Sequence, residues 1–201
     1  MGPDRTARKA SNLKLRSVEP RAIDSGLTEV ERAQRLAVFM HAGQLYGPGV
    51  LHSQHCGDVV EVLKEFGFTD QGLLAAGWLH DIVEDTAMTL NILLEEYEFS
   101  RRIVGLVDAV TDSPGENRRE RQRGTLPRTA ENRDAIALKL ADRIANVRAA
   151  LAKRDRRFGM YRDEYPNFQK FLRKSAYFEH VPMWAELDRL LVPILNLSEA
   201  E

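Results

Sequence analysis

Residues 73–86 read LLAAGWLHDIVEDT, an apolar run that ends in a cluster of ionisable side chains. The apolar part, residues 73–79, predicts a buried helix. A histidine and three carboxylates at the end of a buried segment cost free energy unless something compensates their charge. A metal ion does so, because it is a large local charge that keeps carboxylates ionised and imidazoles neutral. The segment therefore indicates a metal site.

The spacing of the ionisable residues suits a helix that continues beyond the apolar run. His80 and Glu84 are four residues apart, as are Asp81 and Asp85. On a continuous helix each pair shares a face and the two faces adjoin. We expect metal ligands on one turn and carboxylates for acid–base chemistry on the next.

The rest of the chain also has helical periodicity. Thr28 and Glu31 fit a capping box ahead of an apolar stripe. Residues such as Asp70 before other apolar runs are typical N-caps. The predicted helices follow Thr28, start near Ser53, follow Asp70, Thr89 and Ser100, and span 135–151 and 181–195. No segment alternates polar and apolar residues between turn signals, so the predicted fold is all-α and has one domain.

Residues 112–133 interrupt this pattern. The segment holds two prolines, two glycines and six arginines, and it predicts either a long loop or a loop with a short helix. The arginines are either solvated or face an anionic substrate.

Composition narrows the class of protein. The chain has 201 residues, with 29 basic against 30 acidic side chains. The net charge therefore argues neither for nor against a nucleic-acid partner. A single cysteine, Cys56, excludes an internal disulfide framework and suits a reducing compartment. No run approaches the ~18 apolar residues that a membrane helix needs, and the first residues lack a secretory apolar region. We expect a cytoplasmic protein with no membrane partner.

Residues 1–26 are polar and basic and predict a flexible arm, with residues 27–201 as the folded domain.

Ionisable residues interrupt apolar helices at three places: His55, His80-Asp81 and Asp142. Taken alone, Asp142 is better explained by a salt bridge to Arg143 or Arg148, and His55 by a place at a helix start. Together they indicate a His/His/Asp/Asp site. Such a donor set suits Mn²⁺, with Zn²⁺ or Fe²⁺ as alternatives, and leaves coordination positions open.

The order His55, His80-Asp81, Asp142 resembles the HD phosphohydrolase superfamily. The sequence motifs around these residues are more specific. The motifs are Gly43-Gln44, Leu79 to Thr86, Val110-Thr111-Asp112 and KLADRIAN at 139–146. They resemble the hydrolase domain of RelA/SpoT proteins, whose single-domain forms are the small alarmone hydrolases. The resemblance covers about residues 30–150 and implies an HD-domain helical bundle.

The resemblance also implies roles for individual residues. His55, His80, Asp81 and Asp142 would ligate one Mn²⁺. Glu84 and Asp85 would orient or deprotonate the attacking water, or protonate the leaving group. Asn146 would contact the nucleotide. The reaction of the family removes the 3′-diphosphate of guanosine tetra- or pentaphosphate and yields GDP or GTP and pyrophosphate.

This sequence departs from the family pattern in places. Leu45-Tyr46 follows Gly-Gln where the family has a basic pair, and Tyr46 is expected to stack on a base instead. Cys56 replaces the usual proline after the first histidine and is read as a small buried residue or a spare ligand. Tyr161 or Tyr165 is expected to close the base pocket. We interpret His41 and His52 as non-ligands and His180 as structural.

Two other functions remain open. Because the basic pair is missing, the same site could serve another nucleotide, such as the phosphate of NADPH or a pyrophosphorylated RNA 3′ end. A helical interaction module without activity is the third alternative, although every ligand position and both carboxylates are present.

Overall fold

The chain folds as a succession of α-helices; the structure is a computed structural model that describes residues 26–47 and 49–192. The predicted all-α class is confirmed. The helices are α1 (Glu29–Met40), α2 (His52–Glu65), α3 (Gln71–Leu79), α4 (Ile82–Asp85), α5 (Leu90–Glu95), α6 (Arg101–Val110), α7 (Arg118–Ala130), α8 (Arg133–Ala152), α9 (Arg157–Leu172) and α10 (Val181–Leu191). Two short 3₁₀ turns, Arg173–Ser175 and Phe178–His180, precede α10.

Four of the predicted helix starts lie at residues whose side chains cap the helix. The helix expected near Ser53 begins at His52, and its N-cap Leu51 makes no side-chain hydrogen bond. Thr28 forms the full capping box with Glu31. Asp70, Thr89 and Ser100 each accept a hydrogen bond from the backbone N–H three residues on. These side chains satisfy amides that the first helical turn leaves without partners.

Helices α3 and α8 form the centre of the molecule. Almost all of α3 is buried, and it packs against α1, α2 and α6. Helix α8 packs against α2, α6 and α10, with buried side chains on most of its circumference. A helix that is apolar all round is stable only where neighbours cover every face. This packing brings the end of α3, the start of α2 and the middle of α8 together.

The helix expected through residues 80–85 is interrupted. Helix α3 ends at Leu79, and α4 begins at Ile82. At Asp81 the backbone has φ −97° and ψ −4°, away from the α-helical minimum. The amides of Glu84 and Asp85 bond to the carbonyl of Asp81, which starts the next turn. The side chains of His80 and Asp81 therefore do not follow the face pairing of one continuous helix.

Residues 112–133 are more helical than expected, because α7 occupies most of the segment. Its buried face is formed by Gln122, Thr125, Leu126 and Thr129, which have helical spacing but are mostly polar. Thr129 Oγ1 donates to the carbonyl of Ala109 at 2.7 Å. Polar residues on the inner face explain why an apolar stripe is absent from the sequence.

Two further features differ from the expectation. A small antiparallel pair, β1 (Leu45–Gly47) and β2 (Val50–Leu51), precedes α2. Helix α9 begins at Arg157 and runs through Pro166, and it is not among the helices predicted from the sequence.

Most of the expected arm at residues 1–26 lies outside the described residues, as does the predicted end of α10 beyond Val192. The division into an arm and a domain at 27–201 stays a prediction. None of the described helices is long and apolar enough to cross a membrane.

Candidate metal and catalytic site

The four residues expected as metal ligands meet where α2, α8 and the turn between α3 and α4 converge. His55 Nε2 lies 3.4 Å from Asp142 Oδ1 and 3.7 Å from Asp81 Oδ2. His80 Nε2 lies 3.2 Å from Asp81 Oδ1 and 3.8 Å from Asp142 Oδ1. In a metal site with metal–ligand bonds of about 2.1 Å, neighbouring ligand atoms lie roughly 3.0–3.5 Å apart. The separations between these histidine and aspartate atoms are close to that range.

The two histidines fit a metal in their hydrogen bonding as well. Both Nε2 atoms are buried and have no hydrogen-bond partner among the described residues. His80 Nδ1 lies 2.8 Å from the carbonyl oxygen of Gly77, and it donates there in the neutral ring. That tautomer leaves a lone pair on Nε2, which faces the carboxylates. The donor set is nitrogen and oxygen only.

The carboxylates stay ionised. Burial raises the pKa of Asp81, but His80 and a hydrogen bond from His52 lower it by more, to well below the usual range. Burial also opposes ionisation of Asp142, while His55 and Lys139 hold its pKa low. The same carboxylates raise the pKa of His80 to about 9 against the effect of burial. Without a metal, His80 is thus protonated at neutral pH, and the carboxylates favour a cation at this position.

The salt-bridge explanation of Asp142 is wrong in this structure. Arg143 Nη1 donates to Glu164 at 3.1 Å, and Arg148 pairs with Glu65 and Glu186. The contacts of Asp142 are His55, His80, Lys139 and Asn146.

Cys56 and the histidines outside the ligand set lie close together. His41, His52 and Cys56 are buried, with potential donor atoms within 4.8 Å of one another. The rings of His41 and His52 stack at 4.1 Å with an interplanar angle of 6°. Lone pairs in two parallel ring planes do not point to one ion. Burial raises the pKa of the Cys56 thiol well above its usual range, which disfavours the thiolate that metals bind. The geometry therefore does not favour one ion shared by His41, His52 and Cys56, and the interpretation of both histidines as non-ligands stays a prediction.

Glu84 and Asp85 lie next to this site, and each is hydrogen-bonded to a residue of another sequence motif. Glu84 Oε1 accepts a hydrogen bond from the backbone N–H of Asp112 at 2.9 Å. Gln44 Nε2 donates to the carbonyl of Asp85 at 3.0 Å. Burial, with the charge of Asp81, raises the pKa of Glu84 to about 7. A carboxyl with this pKa can exchange a proton near neutral pH.

The three expected substrate contacts also come together. Asn146 Nδ2 donates to Asp142 Oδ1 at 2.5 Å, and Asn146 Oδ1 accepts from the hydroxyls of Tyr46 and Tyr161. The ring of Tyr46 stacks on His55 at 3.8 Å, and the Arg157 guanidinium lies over it at 5.5 Å. The ring is thus engaged by protein side chains and not displayed for a base.

A cleft opens above these residues. Its cationic lining is Arg118 from α7 and Lys139 and Arg143 from α8. Of the six arginines in 112–133, Arg118 alone lines it; Arg121 pairs with Asp112, Arg128 donates to the carbonyl of Thr111, and Arg133 pairs with Glu179. Sequence reasoning assigned no substrate role to Lys139 or Arg143, although both lie in the KLADRIAN motif.

The two candidate tyrosines of α9 separate in the structure. Tyr161 lines the cleft. The hydroxyl of Tyr165 donates to Asp188 at 2.8 Å, and its ring is 6.5 Å from that of Trp184. Tyr165 therefore packs against α10, away from the cleft. His180 is also distant from the site: it is buried beside Phe68, and its Nδ1 accepts from the backbone of Tyr177.

Comparison with known proteins gives consistent matches. The profile of the HD domain matches residues 33–165. A GTP pyrophosphokinase of Streptomyces coelicolor is 34% identical over 139 residues, which are 67% of this chain and 16% of the relative. A guanosine-3′,5′-bis(diphosphate) 3′-pyrophosphohydrolase of Drosophila melanogaster is 35% identical over 102 residues, which are 50% of this chain and 55% of the relative.

The fold has a solved counterpart. A structure described as a metazoan orthologue of SpoT that hydrolyses ppGpp matches with a TM-score of 0.67 and 22% identity, over 83% of this chain and 97% of that chain. At this identity the match bears on the fold. The chain spans about a sixth of the length of the bacterial relatives.

Proposed function

Because this chain belongs to the HD-domain family, we propose that it is a metal-dependent hydrolase that removes the 3′-diphosphate of guanosine tetra- or pentaphosphate. One observation carries the proposal. Two buried histidine nitrogens without partners and two ionised carboxylates converge at a cleft that also holds cationic side chains. The names of relatives from Drosophila and Synechocystis support this substrate.

His55, His80, Asp81 and Asp142 would hold the metal, and two imidazole nitrogens with two carboxylate oxygens suit Mn²⁺, with Zn²⁺ or Fe²⁺ as alternatives. When bound, the ion supplies positive charge next to the phosphoryl group that is transferred. The remaining chemistry falls to side chains of this chain.

Glu84 is proposed to move the proton. In the hydrolysis a water oxygen joins the phosphorus, the bond from phosphorus to the ribose 3′ oxygen breaks, and a proton ends on that oxygen. Glu84 takes the proton from the water, which its pKa of about 7 permits at neutral pH. Asp85, fixed through its carbonyl by Gln44, orients the water.

The cleft would bind the phosphates through its cations. Arg118 and Arg143 both pair with Glu164, Arg118 through Nε at 2.5 Å. Glu164 fixes their direction and offsets only one of the two charges. Together with Lys139 they would face a polyanionic substrate, while the carboxylates that also line the cleft lie at and around the metal site. Tyr46, Asn146 and Tyr161 would contact the nucleoside part.

Some longer relatives are named pyrophosphokinases, and this chain matches about a sixth of each. Its HD-type site suits attack by water, so we assign hydrolysis.

A second candidate keeps the site and changes the nucleotide. Leu45 is about half exposed and does not line the cleft, and Tyr46 contacts His55 and Asn146. The Gly-Gln loop thus brings no cation to the substrate. This favours a nucleotide that needs fewer charges, such as NADPH or an RNA 3′ end.

A metal-replete substrate panel distinguishes these functions. We expect pyrophosphate and GDP from guanosine tetraphosphate, with little release from NADPH or pyrophosphorylated RNA. Glu84→Gln should remain folded and lose at least ~100-fold in rate. Glu61→Gln, on the exposed face of α2, is the matched control and should keep full activity. Release of phosphate from NADPH, or of pyrophosphate from the RNA, without turnover of guanosine tetraphosphate would favour the second candidate, and no turnover of any nucleotide would favour an interaction module.

A further inference from the structure

His52 lies one helical turn before His55 and contacts Asp81, one of the residues proposed to hold the metal. Its ring is buried, and Nε2 is 3.0 Å from Asp81 Oδ2. The other oxygen of Asp81, Oδ1, lies 3.2 Å from His80 Nε2. The oxygen Oδ2 thus faces His52 most closely, with the expected ligand His55 at 3.7 Å, and Oδ1 faces the expected ligand His80.

The orientation of His52 is fixed by its surroundings. One face of its ring stacks on His41 at 4.1 Å, and the ring of Tyr46 meets it edge-on at 5.1 Å. His41 Nδ1 lies 2.8 Å from Gln44 Oε1, and Gln44 in turn holds the carbonyl of Asp85. A ring held in this way can donate its N–H in only one direction.

We propose that His52 is a positioning residue, which donates its Nε2 proton to Asp81 Oδ2 and thereby presents Oδ1 to the metal. A carboxylate that ligates through one oxygen rotates freely unless its second oxygen is bonded. Partners of this kind orient metal ligands, and their loss typically weakens metal binding about 10- to 100-fold. The inference rests on the proposed metal site.

Two other roles are possible for His52. It could fill space against His41 without any polar role. It could also be a ligand itself, since His52, Asp81 and Asp85 have potential donor atoms within 4.8 Å and His52 Nε2 is 3.8 Å from Asp85 Oδ2. In that case Asp81 would bridge two ions.

Two substitutions separate these roles. His52→Gln keeps an N–H donor near the position of Nε2 but loses the ring. His52→Phe keeps a ring to stack on His41 but loses the donor. If His52 positions Asp81, Phe weakens binding of Mn²⁺ about 10- to 100-fold and Gln stays within a few-fold of wild type. If His52 only fills space, the order is reversed, and that order overturns the proposal.

The measurement is a titration of the metal-free full chain with Mn²⁺ alone, which gives affinity and stoichiometry without substrate. One ion per chain in wild type is expected. Two ions that fall to one in His52→Phe would make His52 a ligand and overturn the positioning role. Should His52→Phe not fold, His52→Gln decides by itself, because a loss of affinity in that variant contradicts the proposal. Wild type that binds no divalent ion would reject the proposed function as well, whereas normal binding by His52→Phe rejects only this inference.

Discussion

Glu84 differs from the other carboxylates of the site in the direction of its pKa shift. Asp81 and Asp142 face histidines and Lys139, and their pKa lies below the usual range. Glu84 is partly buried near Asp81 and Asp112, and its pKa rises from 4.5 to about 7. A group that is harder to ionise in the folded protein than in the unfolded chain makes stability depend on pH.

The sign of this dependence predicts the effect of Glu84→Gln. Between about pH 4.5 and 7 the folded protein binds more protons at Glu84 than the unfolded chain does. The free energy of unfolding therefore loses this contribution as pH rises through that window. In metal-free protein we expect Glu84→Gln to be more stable than wild type by ~1–3 kcal/mol at pH 8, with most of the difference gone at pH 4.5.

Urea denaturation in the presence of a chelator at both pH values checks this expectation. Glutamine can still accept the Asp112 N–H, so the local hydrogen bond is kept. Glu61→Gln should change stability by less than ~0.5 kcal/mol. A Glu84→Gln protein that is less stable than wild type at pH 8 would show that the charge of Glu84 is compensated in the fold.

The sequence predicts the site unevenly at this scale. The candidate ligand positions can be proposed from the sequence because ionisable residues stand out inside apolar helices, as at Asp142. The cationic lining of the cleft cannot be identified from the sequence, because the partner of Arg143 is Glu164, which lies in another helix. Charges paired across helices leave no local pattern, so Arg143 can be mistaken for the partner of its neighbour Asp142.

Among the helices, prediction succeeds where end signals and an apolar stripe agree. Helix α1 has both, and its start at Thr28 is confirmed. Helix α7 has Asn117 as its cap but a polar inner face, and α9 contains Pro166. In both, tertiary contacts such as Thr129 to the Ala109 carbonyl stabilise a helix that periodicity does not reveal.

The contact between α2 and α3 predicts how packing controls the metal site. A Cβ on Gly77 would lie 2.9 Å from Val60 Cγ2 and 3.3 Å from Leu63 Cδ1. Gly77 also provides the carbonyl that His80 bonds. Gly77→Ala should push α3 away from α2 at a cost of ~1–3 kcal/mol, only partly offset by better helix propensity. Because His80 follows this helix and His55 is on α2, Mn²⁺ affinity should fall as well.

A glycine in a neighbouring helix is the control. Gly105 is exposed within α6, and a Cβ there would meet nothing within 4 Å. Gly105→Ala should gain ~0.5–1 kcal/mol and leave Mn²⁺ affinity unchanged. Thermal unfolding and metal titration of both variants are the measurements. Unchanged metal affinity in a destabilised Gly77→Ala protein would show that the site tolerates movement of α3.

At the scale of the whole molecule, the site joins parts of the chain that are far apart in sequence. His55 belongs to α2, His80 and Asp81 to the turn after α3, and Asp142 to α8. The order of helices along the chain gives no distance between them; their convergence follows from the burial of α3 and α8 on several sides. Without a metal ion, two ionised carboxylates lie beside two imidazole nitrogens that have no hydrogen-bond partner within residues 26–47 and 49–192.

A metal bound only by the folded state should therefore stabilise the entire chain. At a free Mn²⁺ concentration 100 times the dissociation constant, linkage gives about 2.7 kcal/mol, and the melting temperature should rise by several degrees relative to protein in chelator. Asp142→Asn removes a ligand charge and should abolish most of this rise. Asp108→Asn on α6 is the matched control and should keep it. The comparison is made by thermal unfolding of all three proteins with chelator and with Mn²⁺. If Mn²⁺, Zn²⁺ and Fe²⁺ all leave the melting temperature of wild type unchanged, the four residues do not form a metal site. If Mn²⁺ raises the melting temperature of Asp142→Asn as much as that of wild type, Asp142 is not a ligand.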